Sequence, residues 1–412
     1  MTERALEVFV RSAGTDHRVG TLWTRVRGAR ESASFEYAAS WRAAPAGFAL
    51  DPELPLAPGR FHTERSLFNA FSDPMPDRWG QTLLRRNERT RARVEGRGAR
   101  TLFAADFLAL VDDETRLGAM RFRDVGSETF LTTGSKVPPL VALPKLLRAA
   151  ARVVADEETD DDLLLLLAPG TSLGGARPKA SVRRADGTLA IAKFPSRDDD
   201  WSITRWEATT LALAERAGIT IPTHELVTVA GKPVLVVARF DRDGAERVPY
   251  MSALTALAAR DGDPRSYVEL ADTLRQIGGA VSRDLPELWR RLVFNVLVSN
   301  TDDHLRNHGF LHRPGGWRVA PAFDLNPMPV DVRPRVHALA LDETDATSSF
   351  ETAMRVAPSF GLSMSRARTI AKEVSTAVKT WRKVAARHGL SARQIDRMAS
   401  AFEHADADAA AR

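Results

Sequence analysis

Apolar and polar residues alternate near the start of the chain. Residues 5–10, 18–24 and 33–43 follow this pattern, with Gly14 and Gly28 between them. That predicts short antiparallel strands joined by turns. The pattern changes after Ser66–Phe71. The chain breaks at Asp73-Pro74-Met75-Pro76, and Asp77 precedes the helix-like run Arg78–Leu84. Proline stops what comes before it, and an Asp side chain can accept first-turn N–H groups. A strand is predicted near Ala119–Phe122 and an amphipathic helix from about Leu143 to Val154. The acidic run Asp156–Asp162 reads as a linker into a helix of about Leu163–Leu167, where negative charge meets the positive end of the dipole.

Two strand-like stretches, Lys179–Ala185 and Thr188–Phe194, flank Asp186-Gly187. Asp-Gly between such stretches predicts a hairpin. A helix over about Ile203–Ala217 and strands over Glu225–Val229 and Pro233–Phe240 follow. From Ser252 onward helices are predicted over 265–280, 284–299, 343–356, 362–388 and 391–404, and the low-complexity tail Ala405–Arg412 is expected to fray. There are no internal repeats. A β-rich half before a helical half predicts an α+β fold of two lobes, protein-kinase-like, with nucleotide in the cleft between them. The expected divisions are an N-terminal subdomain (1–125), a β-rich lobe (126–245) and a helical lobe (246–412).

Composition narrows the chemistry. The 412 residues contain no cysteine, which excludes disulfides, thiolate metal sites and cysteine nucleophiles. No apolar run approaches the roughly 20 residues of a membrane span, and Met1–Leu6 lacks a signal-peptide layout. A cytoplasmic protein with no membrane partner is expected. The formal charge is +5, and the segment Arg85–Arg100, with seven arginines and two glutamates, carries +5 by itself. A solvated helix end is the plain reading; a surface for nucleic acid or an acidic partner is the sharper one.

The candidate chemistry lies in Asn300-Thr301-Asp302-Asp303-His304-Leu305-Arg306-Asn307 and, beyond a short hairpin-like insert, Ala322-Phe323-Asp324-Leu325. Phosphoryl transfer from ATP needs a carboxylate to orient the attacking hydroxyl, and an amide oxygen and a second carboxylate to hold Mg2+. Asp302 suits the first role, Asn307 and Asp324 the second. Asp303 and His304 could support the loop, and Arg306 could steady the phosphate or the Asp302 carboxylate. Upstream, Gly170–Lys179 is rich in small residues that let backbone N–H groups close on phosphate. It matches neither a Walker A loop nor the G-x-G-x-x-G of ordinary protein kinases. Lys193 ends the strand Ala190-Ile191-Ala192-Lys193, a pattern that suits a phosphate-binding lysine, and Glu207 on the next helix is its natural partner.

Three other readings compete. Gly170-Thr171-Ser172-Leu173-Gly174 matches the G-x-S-x-G of a serine hydrolase with His337 downstream, but that elbow needs a strand before it and a helix after it, the reverse of what is predicted. His304, His308 and His312 recur every fourth residue, as zinc ligands on a helix would, but Gly309 and Pro314 argue against a continuous helix. An inactive kinase-like binding or regulatory module is the third; the intact set Lys193, Asp302, Asn307 and Asp324 argues against it.

Together these motifs resemble the HipA family of serine/threonine kinase toxins from bacterial HipBA toxin–antitoxin systems. The resemblance runs nearly the whole length. Phe68–Phe71 and Met75-Pro76-Asp77-Arg78 are similar to the family's N-terminal subdomain, and Ser172–Lys179 to its S-x-x-G-A-x-x-K loop. Val236–Arg242 resembles the hinge and E-R-F-D-R signature, and Thr301–Asn307 resembles T-D-x-H-x-K-N. The resemblance implies ATP and Mg2+ as cofactors, contacted by Ser172, Gly174, Gly175, Ala176, Lys179, Lys193, Glu207, His304 and Arg306, with backbone groups near Ala238 and Phe240 meeting adenine. Ser172 corresponds to a serine that family kinases phosphorylate on themselves. About two added negative charges there would disrupt a phosphate-cradling loop and switch the enzyme off. The implied substrate is a protein such as an aminoacyl-tRNA synthetase. The implied partner is a separate HipB-like helix-turn-helix antitoxin, through which DNA is met indirectly. Four positions depart from the pattern: Ala238 for Glu, Arg177 for Gln, Asp303 for Gly and Arg306 for Lys.

Overall fold

The computed structural model describes residues 2–134, 136–167 and 175–412. The chain gathers into two compact units, and these do not follow the three expected segments. The first holds residues 1–197, 229–231 and 236–251; the second holds 198–228, 232–235 and 252–412. The helix and outer strand expected in the β-rich lobe thus count with the helical part.

In the first unit, β1 (Thr2–Ser12), β2 (Thr15–Arg27), β3 (Arg30–Tyr37), β4 (Arg60–Thr63) and β5 (Met120–Asp124) form an antiparallel sheet of order β4-β3-β2-β1-β5. Leu6 faces Leu22 and Val8 faces Gly20 across β1 and β2. Glycine is required at 20, because a Cβ there would lie 2.2 Å from the Glu36 carbonyl oxygen. Leu6, Val8, Leu22, Phe35, Phe71 and Phe122 make one core. The strand expected over 33–43 stops at Tyr37, and the alanine-rich Ala39–Ala43 turns helical. Its Trp41 is buried and donates to the Phe48 carbonyl at 3.1 Å.

The Arg78–Val94 helix starts as expected, with the Asp77 side chain accepting from the Gly80 N–H at 2.9 Å. The acidic run is not a free linker. Its last residues form the first turn of the Asp160–Leu167 helix, and the run lies against the basic helix. Arg86 pairs with Asp156 and Glu158 at 2.5 and 2.6 Å, and Arg93 with Asp160 at 3.4 Å. Arg97 pairs with Glu88 and Glu95, and Arg100 with Asp106. Much of the local +5 is therefore matched within the unit.

The hairpin β6 (Lys179–Arg183) and β7 (Leu189–Lys193) forms around Asp186-Gly187, with Lys179 opposite Lys193. With β8 (His224–Val229) and β9 (Lys232–Ala238) it gives a four-stranded sheet of order β6-β7-β9-β8. A helix (Asp160–Leu167) and a strand (β6) are the described elements on either side of the glycine-rich segment. This is the opposite of a hydrolase elbow.

The second unit is mainly helical: Ile203–Arg216, Tyr267–Ile277, Val281–Leu297, Phe350–Val356, Met364–Val378 and Trp381–Arg387 are its longer helices. Three expected spans come out shorter or divided. Residues 342–348 make turns, with Asp342 accepting from the N–H groups of Thr344 and Asp345, and the helix waits for the Ser349 cap. The 362–388 span breaks before Trp381, whose indole stacks on Phe402 at 4.5 Å. The 391–404 span divides into Ala392–Arg397 and Ala399–Phe402. The tail does not fray: Ala405–Ala409 is helical, and Asp406 accepts from Arg335 at 2.5 Å and from the Phe350 N–H at 2.7 Å.

The insert hairpin (Gly309–Arg313 and Gly316–Val319) is fixed against the end of the Tyr267–Ile277 helix. The Gly279 N–H donates to the Trp317 carbonyl at 2.9 Å, and a Cβ on Gly279 would lie 2.8 Å from the Gly315 backbone. Glycines at 279 and 315–316 thus let two backbones touch where the hairpin leaves the candidate site. Among the described residues, no helix is long and apolar enough to cross a membrane.

Candidate active site

The Val281–Leu297 helix delivers the chain to a tightly anchored loop. Ser299, Asn300, Thr301 and Asp303 are buried, whereas Asp302 is exposed. The alternation comes from the anchors. Asn300 donates to Asn295 Oδ1 at 3.1 Å and accepts from the Asn326 N–H at 3.3 Å. The carbonyls of Thr301 and Asp303 accept from the N–H groups of Ala338 and Leu339 at 3.1 and 2.9 Å. With residues 301 and 303 held inward, the Asp302 carboxylate faces solvent.

Residues 305–307 form a short 3-10 turn that returns Asn307 to the loop. Its Nδ2 donates to the Asp302 carbonyl at 3.1 Å, which fixes the amide orientation. Its Oδ1 is buried and has no hydrogen-bond partner among the described residues. A buried amide oxygen without a donor is costly unless a cation takes it, and a hard cation such as Mg2+ prefers oxygen ligands. The site therefore fits the implied metal at this atom. Asp324 sits on a backbone with φ of 59°, in the left-handed region that Asp tolerates better than most residues. Its neighbours hold it there: the Ala322 N–H donates to the Thr220 carbonyl at 2.8 Å, and the Leu325 carbonyl accepts from the Thr210 hydroxyl. Strain of this kind persists only where surrounding contacts enforce it.

Behind the loop lies a polar cluster that sequence reading missed. Asp303 Oδ2 accepts from the Tyr267 hydroxyl, which in turn accepts from Asn295 Nδ2 at 2.9 Å. His308 Nε2 is 2.9 Å from Asp303 Oδ1. Burial pushes the Asp303 carboxyl upward, but the His308 imidazole and the Tyr267 hydroxyl outweigh it and hold the group below the usual carboxylate range. Burial, with Asp303 alongside, drives the Tyr267 hydroxyl well above its ordinary value. Asp303 thus fastens the loop rather than serving chemistry. Its replacement of the usual glycine was the available signal, since a carboxylate beside an exposed Asp302 needs an inward partner.

Other expected residues are distributed as follows. Ser172 and Gly174 lie outside the described residues. Gly175 and Ala176 are exposed, Gly175 with φ of 88°. Lys179 is buried, and its Nζ lies 2.6 Å from Asp77 Oδ2 and 3.4 Å from the Gly175 carbonyl. The Trp79 indole donates to the Lys179 carbonyl at 2.9 Å. The ammonium expected on phosphate therefore faces a carboxylate of the M-P-D-R motif. Lys193 is half-buried at the end of β7, and Glu207 is buried on the Ile203–Arg216 helix.

Ala238 and Phe240 are half-buried, while Arg239 and Asp241 between and beyond them are buried. Arg239 donates to Asp241 through Nε and Nη2, both at 2.6 Å, and to the Thr115 carbonyl at 2.8 Å. Asp241 also accepts from the Gly118 N–H at 2.7 Å. Arg306 departs from expectation. Its guanidinium grips Asp261 through two contacts of 2.8 and 2.9 Å, and Asp302 is met instead by Arg333 Nη1 at 2.9 Å. The three histidines share no helix: His304 precedes the 3-10 turn, His308 follows it and His312 lies on a strand. No group of three His, Cys, Asp or Glu that could hold a metal occurs among the described residues.

Comparison with known proteins agrees with this organisation. A family model for the HipA N-terminal domain matches residues 10–105, and one for the HipA-like C-terminal domain matches residues 171–381. The chain is 29% identical over 181 residues to "Putative kinase Y4mE" of Sinorhizobium fredii, covering 37% of this chain and 41% of that protein. It is 27% identical over 146 residues to a "Putative kinase" of Haemophilus influenzae, covering 32% and 43%. The chain thus spans less than half the length of these curated relatives. A solved structure of HipA with HipB and operator DNA from Shewanella oneidensis matches with a TM-score of 0.68 at 17% identity, covering 98% of this chain and 96% of that one. At that identity the likeness shows the fold, a two-lobed kinase-like α+β architecture.

Proposed function

Because the chain belongs to the HipA family, we propose that it is an ATP-dependent protein kinase that phosphorylates serine or threonine. The observation that carries the proposal is Asn307, whose buried Oδ1 has no partner among the described residues while its Nδ2 is fixed on the Asp302 carbonyl. Lone Asx residues in loops usually cap turns. A carboxamide held by its nitrogen with its oxygen left open is what a metal ligand requires. Two relatives carry the word kinase in their names, which supports the same reaction class.

In this reading Asn307 and Asp324 hold Mg2+, which when bound neutralises charge on the nucleotide phosphates. Lys193 and the small residues Gly174, Gly175 and Ala176 receive the phosphates. Asp302 accepts the proton of the acceptor hydroxyl. The hydroxyl oxygen bonds to the γ-phosphorus, and the bond from that phosphorus to the β–γ bridging oxygen breaks, its electron pair leaving with ADP. Lys179 supports the loop through Asp77 rather than meeting phosphate. Phosphorylation of Ser172 is the off-switch.

The biological role we propose is that of a growth-inhibiting toxin acting on a translation protein such as an aminoacyl-tRNA synthetase. Its partner is a separate HipB-like antitoxin that binds operator DNA, as the assembly of the Shewanella protein suggests. The test is transfer of labelled γ-phosphate from ATP with Mg2+, followed by phosphoamino acid analysis and phosphoproteomics. Asp302→Ala should lower transfer by at least about 100-fold, the scale of general-base catalysis. Phosphotyrosine as the product, or equal labelling by wild type and Asp302→Ala, contradicts the assignment. Ser172→Ala should remove self-labelling and leave transfer to other proteins intact.

A further inference from the structure

The cation beside Asp302 comes from an unexpected part of the chain. Arg306, five residues from the loop's start at Thr301 and at the position where the family signature has lysine, donates to Asp261 through Nε and Nη2. Arg333 lies beyond Asp324, in the segment that returns along the loop. That segment is tied down on both sides of Arg333. Before it, the Met328 N–H donates to the Ser299 carbonyl at 3.1 Å. After it, Arg335 donates to Ser299 Oγ and the Val296 carbonyl at 3.1 and 3.0 Å, and the Ala338 N–H donates to the Thr301 carbonyl at 3.1 Å.

The crest between these ties is itself shaped. The Arg333 N–H donates to the Pro329 carbonyl at 3.2 Å, closing a turn. The Val330 N–H donates to Ser400 Oγ at 3.2 Å, and Asp331 pairs with Arg397 at 2.7 Å. A turn tied at both ends and along its crest therefore carries one guanidinium to one carboxylate oxygen, Asp302 Oδ1. The other oxygen, Oδ2, makes no hydrogen bond among the described residues.

We propose that Arg333 is the positioning residue for Asp302. By holding Oδ1 it sets the carboxylate rotamer, so that Oδ2 faces the acceptor hydroxyl and takes its proton. The acceptor side of the site is thus coupled to the Met328–Ala338 segment. The inference rests on the kinase reading above. It also differs from the ordinary role of such a pair: exposed ion pairs contribute at most about 1 kcal/mol to stability, so a merely structural Arg333 would leave turnover untouched.

The experiment compares wild type, Arg333→Ala, Arg333→Gln, Arg333→Lys, Asp302→Ala and Arg382→Ala, which removes an exposed ion pair elsewhere in the same unit, in steady-state transfer to a protein acceptor, with thermal unfolding of each. Arg333→Ala and Arg333→Gln should lower kcat about 10- to 100-fold, part of what a general base supplies, with the KM for ATP changed by less than about twofold. Arg333→Lys should recover most of the loss, since a single 2.9 Å contact is replaced. Arg382→Ala should match wild type. Unfolding temperatures should agree across the set. Wild-type kcat in Arg333→Ala, or an equal loss in Arg382→Ala, overturns this proposal and leaves the kinase reading standing. Wild-type transfer no greater than that of Asp302→Ala overturns both. If Arg333→Ala is unstable, Arg333→Gln, which removes the charge and keeps most of the stem, decides in its place: wild-type kcat there overturns the proposal.

Discussion

The two units bury polar groups in different ways. The first encloses permanent charge. Arg116, Arg239, Arg242 and Arg247 surround Asp113 and Asp241, and further donors of Arg116, Arg239 and Arg242 reach the carbonyls of Leu108, Val111, Glu114, Thr115 and Arg116. Burial draws Arg116 and Arg242 down to about 10, which leaves both charged at neutral pH. Asp241 is raised by burial and lowered more by Arg239 and Arg242, and stays far below the usual range. The second unit encloses, behind the candidate loop, a cluster of hydroxyl, amide, carboxylate and imidazole groups: Tyr267, Asn295, Asn300, Asp303, His308 and His337. Guanidinium groups that reach several carbonyls clamp backbone and ignore pH. Beside the candidate loop, the holding contacts are single hydrogen bonds and a histidine–carboxylate pair among Tyr267, Asn295, Asp303 and His308. The first device steadies the residues flanking Ala238 and Phe240; the second steadies Asp302 and Asn307.

The largest expected effect follows from removing the anion at the centre of the first cluster. Asp241→Ala leaves Arg239 and Arg242 buried without their carboxylate, at a cost of about 3–5 kcal/mol. Urea unfolding should show the loss, and weakened ATP binding should accompany it if the hinge reading holds. A loss below about 1 kcal/mol would mean that the backbone carbonyls alone satisfy the arginines, and the contrast between the units would shrink to one of composition.

How much of this was legible in the sequence depended on range. The β6–β7 hairpin was announced by Asp186-Gly187, the Leu143–Val154 helix by its apolar spacing, and the Arg78–Val94 helix by Asp77. These are local signals, and local physics decides them. The spacing of Asp302, Asn307 and Asp324 named a candidate site, and the structure adds the orientation of Asn307 and the strained backbone of Asp324. What stayed hidden was partner choice across the chain. Nothing near Lys179 indicates that it pairs with Asp77, 102 residues away. Arg306, four residues from Asp302, was the cation named for it, and nothing near Arg333 marks it as the partner, 31 residues away. The tail looked unstructured because its composition is plain, yet Asp406 alone supplies two long-range anchors.

A pH titration should separate the units with opposite signs. Burial draws His337 and His404 from 6.5 down to about 4 in the folded chain. The unfolded chain then binds more protons between those values. Stability from these groups is complete above pH 6.5 and lost as pH falls toward 4, by up to about 3 kcal/mol each. In the first unit, burial raises Asp51 from 3.8 to about 6. There the folded chain binds the extra proton. Its contribution is complete below 3.8 and lost as pH rises through 6, by up to about 3 kcal/mol. Hydrogen exchange, corrected for intrinsic rates, should show protection around His337 and His404 weakening between pH 6.5 and 4.5, while protection around Asp51 strengthens. Parallel changes in both regions would mean that global unfolding dominates exchange.

The smallest effect tests whether the exposed pair near the candidate site belongs to either class. Arg306 and Asp261 are 37% and 70% exposed, against 3% and 5% for Lys179 and Asp77. Solvent screens the first pair and not the second. Asp261→Ala should therefore cost less than about 1 kcal/mol, and raising the salt concentration should reduce even that. The same change removes the Asp261 partner of Arg306, four residues from Asp302. If Arg306 remains without influence there, Asp261→Ala leaves kcat at the wild-type value. A rise or fall in kcat with unchanged stability would show that Asp261 keeps a second cation away from Asp302, and would extend the coupling of this loop beyond Arg333.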